Sequence, residues 1–353
     1  VGLLFLMSAV QAITFVLLGN LIFEIRGMTF PYFILLFTTA CFANLLGLNI
    51  SSGLNSVITI YILVPFLLIP QILFSGILVK FDKLHKSLTH EIYVPVIGEL
   101  MTSKWAYEAL VVYQFKNNRY NRSFFPIDQD ISNIRYRERY LVTTLESMIN
   151  DTDYSMKSGI ISDDLNQDLE IIYRYTEQLK EEFPSVAAPD VGPMTVTSFS
   201  IARTDSLKDY FSRLKAHLRL RERDLNIQKN NLDTELREEW GGLQEYSRIR
   251  NRYTNTKLSD MLLNKDEIYS IVEKGGILVR KFEPVYMVPG SKAGRAHLYA
   301  PVKRIGNWEF ETFWFNIMVI WFTTLILYVT LYYDLLRKMI SYFERMRLRR
   351  KSA

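Results

Sequence analysis

Few residues in this chain have the type and spacing that chemistry needs. Nucleotide hydrolysis requires a glycine-rich turn closed by lysine, G-x-x-x-x-G-K-[ST], whose backbone amides cradle phosphates. No Gly-Lys pair occurs among the 16 glycines. His85 and His90 stand five apart in HKSLTH and miss the i, i+4 spacing that places two imidazoles on one face of a zinc helix. Cys41 lies in an apolar run with no base nearby and reads as core; as the single cysteine it also excludes a disulfide scaffold. No nucleophile lies beside a base. The sequence therefore predicts no catalytic residue, no metal and no cofactor on this chain. What remains is Glu99, Lys104 and Glu108, three charges set in the otherwise apolar-rich stretch PVIGELMTSKWAYEALVVYQF, Pro95 to Phe115.

The elements that must position these charges follow from the distribution of charge along the chain. Of 79 charged side chains in 353 residues, Glu24 and Arg26 are the only ones in residues 1 to 79, and residues 312 to 333 carry none. A single soluble globule is excluded. About 20 apolar residues cross the roughly 30 Å of hydrocarbon in a bilayer. That length predicts four spans, about 3–23, 30–50, 57–79 and 312–336, with breaks at Glu24-Ile25-Arg26-Gly27 and Ser51-Ser52-Gly53. The tail at 337–353 holds Arg337, Lys338, Arg345, Arg347, Arg349, Arg350 and Lys351 against Glu344, so the positive-inside bias makes it cytoplasmic. By alternation residues 80–311 lie outside. Gln11, Asn20, Asn44 and Asn49 are uncharged and suit hydrogen bonds between helices. No span centre carries Asp, Glu or His, which speaks against a proton relay. Val1 opens inside an apolar run with no Met, basic segment or cleavage site before it, as expected of the C-terminal part of a longer protein.

Within Pro95 to Phe115, Ile97, Leu100, Met101, Trp105, Ala109 and Val112 return at three- and four-residue steps, which sets them on one helix face. With three charges the segment, about 95–115, is no ordinary span. It reads as an interfacial or re-entrant helix, or else as the first helix of the outer region. FSGILVK at Phe74 to Lys80 followed by KWAYEALVVYQF at Lys104 to Phe115 resembles the end of the permease unit of ATP-binding-cassette exporters of the G (White/pleiotropic drug resistance) subfamily. Residues 15–19 and 30–52 are similar to that family's third and fourth spans. The resemblance covers about residues 3–120 and 312–336.

The resemblance implies a transport pathway along the third span, with Ile77 and Leu78 as a valve and Ile72, Ile69 and Ile62 facing the cavity deeper in. It places Lys104, Trp105, Tyr107, Glu108, Ala109 and Leu110 in the re-entrant motif, where Glu108 suits a structural salt bridge or a cap. ATP and Mg would sit on a nucleotide-binding domain, in the same full-length chain or another subunit, and a second permease unit would complete a dimer. The family's outer loop is short, whereas Lys116 to Glu311 is nearly 200 residues and has no cysteine, which suggests a bacterial branch in the inner membrane.

The insertion, 116–311, reads as mostly helical with a few short strands. Helices are expected at Asp164 to Phe183, capped by Asp163-Asp164, at Asp205 to Trp240 as a long or coiled arm, and at Leu258 to Val272, stopped by Gly275-Gly276. Arg280 to Lys303 reads as short strands and extended chain. The fold class is thus mainly α: a polytopic membrane bundle with an inserted extracytoplasmic domain. The expected partners are the nucleotide-binding domain, a second copy, membrane lipid and a protein in the periplasm, and not nucleic acid. The rival function is a membrane-anchored receptor or scaffold whose helical arm binds a partner.

Overall fold

The computed structural model describes every residue except 55, 86–88, 91, 160–162, 191, 195–200 and 343–353. The bases at 345–351 and the expected Asp163-Asp164 cap contacts lie outside what is described. The chain is predominantly helical, a polytopic membrane protein with an inserted domain, and its contacts divide it into two units. One comprises residues 1–121, 252–258 and 288–353, the other 122–251 and 259–287. The boundary therefore differs from the 116–311 expected, because residues 288–311 pack with the membrane helices.

In the first unit, α1 (Gly2–Ile22), α2 (Thr29–Gly53) and α12 (Thr312–Tyr332) are long and apolar enough to span a membrane. The α1–α2 connection turns through left-handed residues at Glu24 and Gly27. The break expected at Ser51-Ser52-Gly53 falls slightly later: Ser52 Oγ donates to Asn49 O (3.1 Å), α2 runs on to Gly53, and the chain turns extended at Leu54. The third apolar element, α3 (Val57–Leu73), has 17 residues, and helix ends there rather than at 79. Gly76, at φ +82, carries the chain through the turn that follows. Amides link the helices as apolar surroundings require. Asn44 Nδ2 donates to Ser8 Oγ (2.8 Å), Asn49 Nδ2 to Leu327 O (2.8 Å), and Asn20 Nδ2 to Thr29 Oγ1 (3.0 Å).

The stretch read as one helix over 95–115 is two, α4 (Val96–Glu99) and α5 (Thr102–Lys116). Trp105, Ala109 and Leu35 form a core with Phe313, Phe315, Ile317 and Ile320 of α12. Preceding α12, β3 (Val302–Ile305) pairs antiparallel with β4 (Trp308–Glu311), Val302 opposite Glu311.

The second unit is built from α6 (Asn121–Arg135, its first residue in the other unit), a π-helical turn at Tyr136–Leu141, α7 (Val142–Lys157), α8 (Asp163–Glu182) and α9 (Ile201–Glu239). Leu207, Phe211, Leu214 and Leu218 of α9 are fully buried with Leu145, Ile149, Leu169 and Ile172. The long helix expected from 205 to 240 is therefore the core helix of a folded domain. It ends at Gly241-Gly242, both left-handed. Two short helices follow, α10 (Leu243–Tyr253) and α11 (Thr256–Leu262). Gly275-Gly276 does not stop a helix; it turns a hairpin between β1 (Ile271–Lys274) and β2 (Ile277–Arg280). Both glycines have positive φ, as the favoured two-residue hairpin turn needs. Tyr175 Oη holds this hairpin to α8, accepting from Leu278 N (2.9 Å).

Candidate functional site: a buried ion cluster beside an unpacked apolar helix

Four charged side chains converge where α4, α5 and β3 meet. Lys104 and Glu108 are one helical turn apart on α5, which puts them on the same face. Lys104 Nζ is 3.2 Å from Glu108 Oε2 and 3.4 Å from Glu99 Oε2. The alternation of β3 turns Lys303 inward, and its Nζ donates to Glu108 Oε1 at 2.7 Å. Asn316, from the first turns of α12, donates to Glu108 Oε2 (3.0 Å) and to Trp105 O (2.9 Å). Trp105 closes the cluster: its ring lies 3.6 Å from the Lys104 ammonium, and its Nε1 donates to Glu99 O (2.7 Å). Lys104, Glu108 and Asn316 are wholly buried and Lys303 nearly so.

Two ammonium groups face two carboxylates, so the cluster is neutral. Burial opposes ionisation of Glu108, but Lys104 and Lys303 outweigh it and hold the carboxyl down at about 2. Burial also pulls Lys303 down, to about 8, against the attraction of Glu108; its ammonium still keeps the proton at neutral pH. Burial raises Glu99, which Lys104 partly counters. Glu108 therefore stays ionised at neutral pH. The arrangement is a clasp that fixes α5 against the β3–β4 hairpin and α12.

The other residues of the expected motif are placed around this clasp. Ala109 is fully buried in the apolar core, Leu110 packs at its edge, and Tyr107 Oη lies 3.4 Å from Tyr299 Oη. The expected pathway residues sit elsewhere. Ile62, Ile69 and Ile72 lie on α3, which buries none of its 17 residues. Ile77 and Leu78 are also exposed, but in the turn beyond α3 and not on a span; Ile77 N donates to Ser75 Oγ (3.2 Å). The link from α3 to α5 is polar: Gln71 Oε1 accepts from Ser103 N (3.1 Å), and Ser103 Oγ donates to Gln71 O. His90 Nδ1 accepts from the backbone N–H groups of Ile92 (3.3 Å) and Tyr93 (3.2 Å), an Asx-like local use.

Lys303 and Asn316 had no signal in the sequence, being 195 and 208 residues from Glu108. The i, i+4 pairing of Lys104 with Glu108 was the one part of the cluster that spacing could reveal.

Fold and site together define a polytopic helical membrane protein whose buried charges lock helices in place and whose exposed apolar helix α3 awaits lipid or protein. Residues 1–115 match the family model of the ABC-2 type transporter. The match supports a permease of an ABC transporter, which works with an ATP-binding partner. No curated protein and no solved structure matches the chain.

Proposed function

We propose that the chain is the permease part of an ATP-driven exporter of the G-subfamily type, carrying a hydrophobic or amphipathic substrate by alternating access. The observation that carries the reading is α3. It lies within the 1–115 match, is apolar but for Thr59, Tyr61 and Gln71, and has no buried residue. A second permease unit placing its own α3 opposite would line a pathway with Ile62, Ile69 and Ile72. Ile77 and Leu78 would then close it, aliphatic side chains sealing against water while yielding to an apolar substrate. Pro65 and Pro70 each remove a backbone donor within α3 and favour a bend there. Closure of the partner nucleotide-binding domains on ATP and Mg would drive the rearrangement. In this reading residues 80–311 are extracytoplasmic and the C-terminus is cytoplasmic.

The test is Ile77→Ala with Leu78→Ala in the assembled transporter. Export, or its coupling to ATP hydrolysis, should change while expression and membrane insertion stay intact. Unchanged export and unchanged ATPase activity would remove the valve.

A further inference from the structure

We propose that the cavity where the α1–α2 connection meets residues 252–257 is a binding site for a phosphate-bearing anion. The cavity, of about 380 Å³, lies within the first unit and is lined by Arg26, Arg252 and Lys257, with Glu24 as its single acid. Its volume is within the range of small-ligand sites. Two other pairs of neighbouring cations among the described residues share a carboxylate. Lys104 and Lys303 share Glu108, and Arg135 and Arg139 share Glu222 at 2.6 and 3.1 Å. The side chains of Arg26, Arg252, Lys257 and Glu24 make no hydrogen bond or ion pair with the described residues. Arg26, Arg252 and Lys257 are exposed around one concavity, where their fields add toward an entering anion. The chain supplies one carboxylate for three cations, so the site is left attractive to a group with two negative charges.

Location narrows the chemistry. The connection between α1 and α2 joins two membrane-spanning lengths, so it stands at the boundary of hydrocarbon and water on whichever side it faces. Its backbone is constrained to turn there by Glu24 at φ +53 and Gly27 at φ +74. A Cβ on Gly27 would stand 3.4 Å from the Tyr253 ring, so the loop and residue 253 form adjoining walls. Phe23, Ile25 and the buried Met28 add an apolar side to the cationic one. An amphipathic phosphate fits both: guanidinium forks bind phosphate oxygens bidentately, Lys257 adds a point charge, and the apolar side takes a glycerol or acyl root. A lipid headgroup and a free phosphate present the same chemistry to these cations. The site does not depend on transport through α3.

The experiment uses the purified full chain in neutral detergent. Native mass spectrometry counts retained phosphatidylglycerol against phosphatidylcholine, and a separate titration measures inorganic phosphate. Each surface cation near an anionic headgroup contributes roughly fivefold in affinity, so Arg26→Gln with Arg252→Gln and Lys257→Gln should weaken binding on the order of a hundredfold. Glu24→Gln removes the competing carboxylate and should tighten binding about fivefold. Preference for phosphatidylglycerol with no phosphate binding supports a headgroup occupant; phosphate binding that displaces the lipid supports a free anion. Binding of neither probe, or equal affinity in wild type and variants, overturns the proposal. If the triple variant does not purify as a single species, Glu24→Gln decides alone, and unchanged affinity there overturns it.

Discussion

Replacing Glu108 with glutamine should be among the most damaging isosteric changes in the chain. The amide keeps the size of the carboxylate and can still accept from Asn316. It leaves the Lys104 and Lys303 ammonium groups buried, with Glu99 as the remaining carboxylate, 3.4 Å from Lys104. Two routes give the magnitude. A carboxyl held at about 2 in place of 4.5 contributes about 3 kcal/mol when ionised. Removing one partner of a buried, hydrogen-bonded ion pair costs about 3–5 kcal/mol. The sign of the pH dependence follows. The folded value lies below the unfolded one, so the contribution is complete above about pH 4.5 and is lost as pH falls toward about 2. Unfolding of the detergent-solubilised chain, followed by tryptophan fluorescence, should show Glu108→Gln melting roughly 6 °C or more below wild type at pH 7. Adding Lys303→Met should return part of the loss, because one uncompensated charge goes with it. A Glu108→Gln chain within about 0.5 kcal/mol of wild type, or a Lys303→Met effect that simply adds, would refute the clasp.

Three further outcomes are expected. Leu214→Ala removes a fully buried side chain from the core of the second unit and should cost about 2–5 kcal/mol, visible as faster amide exchange across α7, α8 and α9; protection equal to wild type would argue against that core. Gly98→Ala sets a Cβ 2.8 Å from Phe81 Cζ and 3.0 Å from Val94 Cγ1, an overpacking of about 1–3 kcal/mol that a neutral melting point would contradict. Cysteine at position 158 should react with an impermeant thiol reagent in intact cells while cysteine at 352 is protected, and the reverse pattern would invert the proposed topology.

What could be read without coordinates depended on how local its cause was. The spans declare themselves because burial in lipid demands an unbroken apolar run, and α1, α2 and α12 fall where the runs do. Helix ends inside those runs were less legible. Ser and Gly at 51–53 resemble a break, yet a serine in an apolar helix can turn its hydroxyl onto a carbonyl three residues back, as Ser52 does. Gly275-Gly276 is ambiguous by nature, since the same left-handed backbone ends helices and turns hairpins; the flanking β-branched residues Ile271, Val272, Ile277 and Val279 are what favour the hairpin. The charges of α5 were visible as an anomaly in an apolar segment. Their resolution came from Lys303 and Asn316, which arrive from the far side of the whole insertion, a distance at which no periodicity operates.

That distance also sets an order of events during synthesis. At about 5–20 residues per second, the 195 residues separating Glu108 from Lys303 take roughly 10–40 s to be made. Through that interval α5 exists without the hairpin or the helix that will cover it. Glu108 must then rely on Lys104, one turn away on its own helix, and the indole of Trp105 waits without Phe315. The i, i+4 pair is thus a provisional neutralisation carried by α5 from birth, and Lys303 with Asn316 completes it when α12 enters the bilayer. A chain that stalls or is cut within the insertion is left with this polar seam open, a mark by which unfinished molecules differ from finished ones.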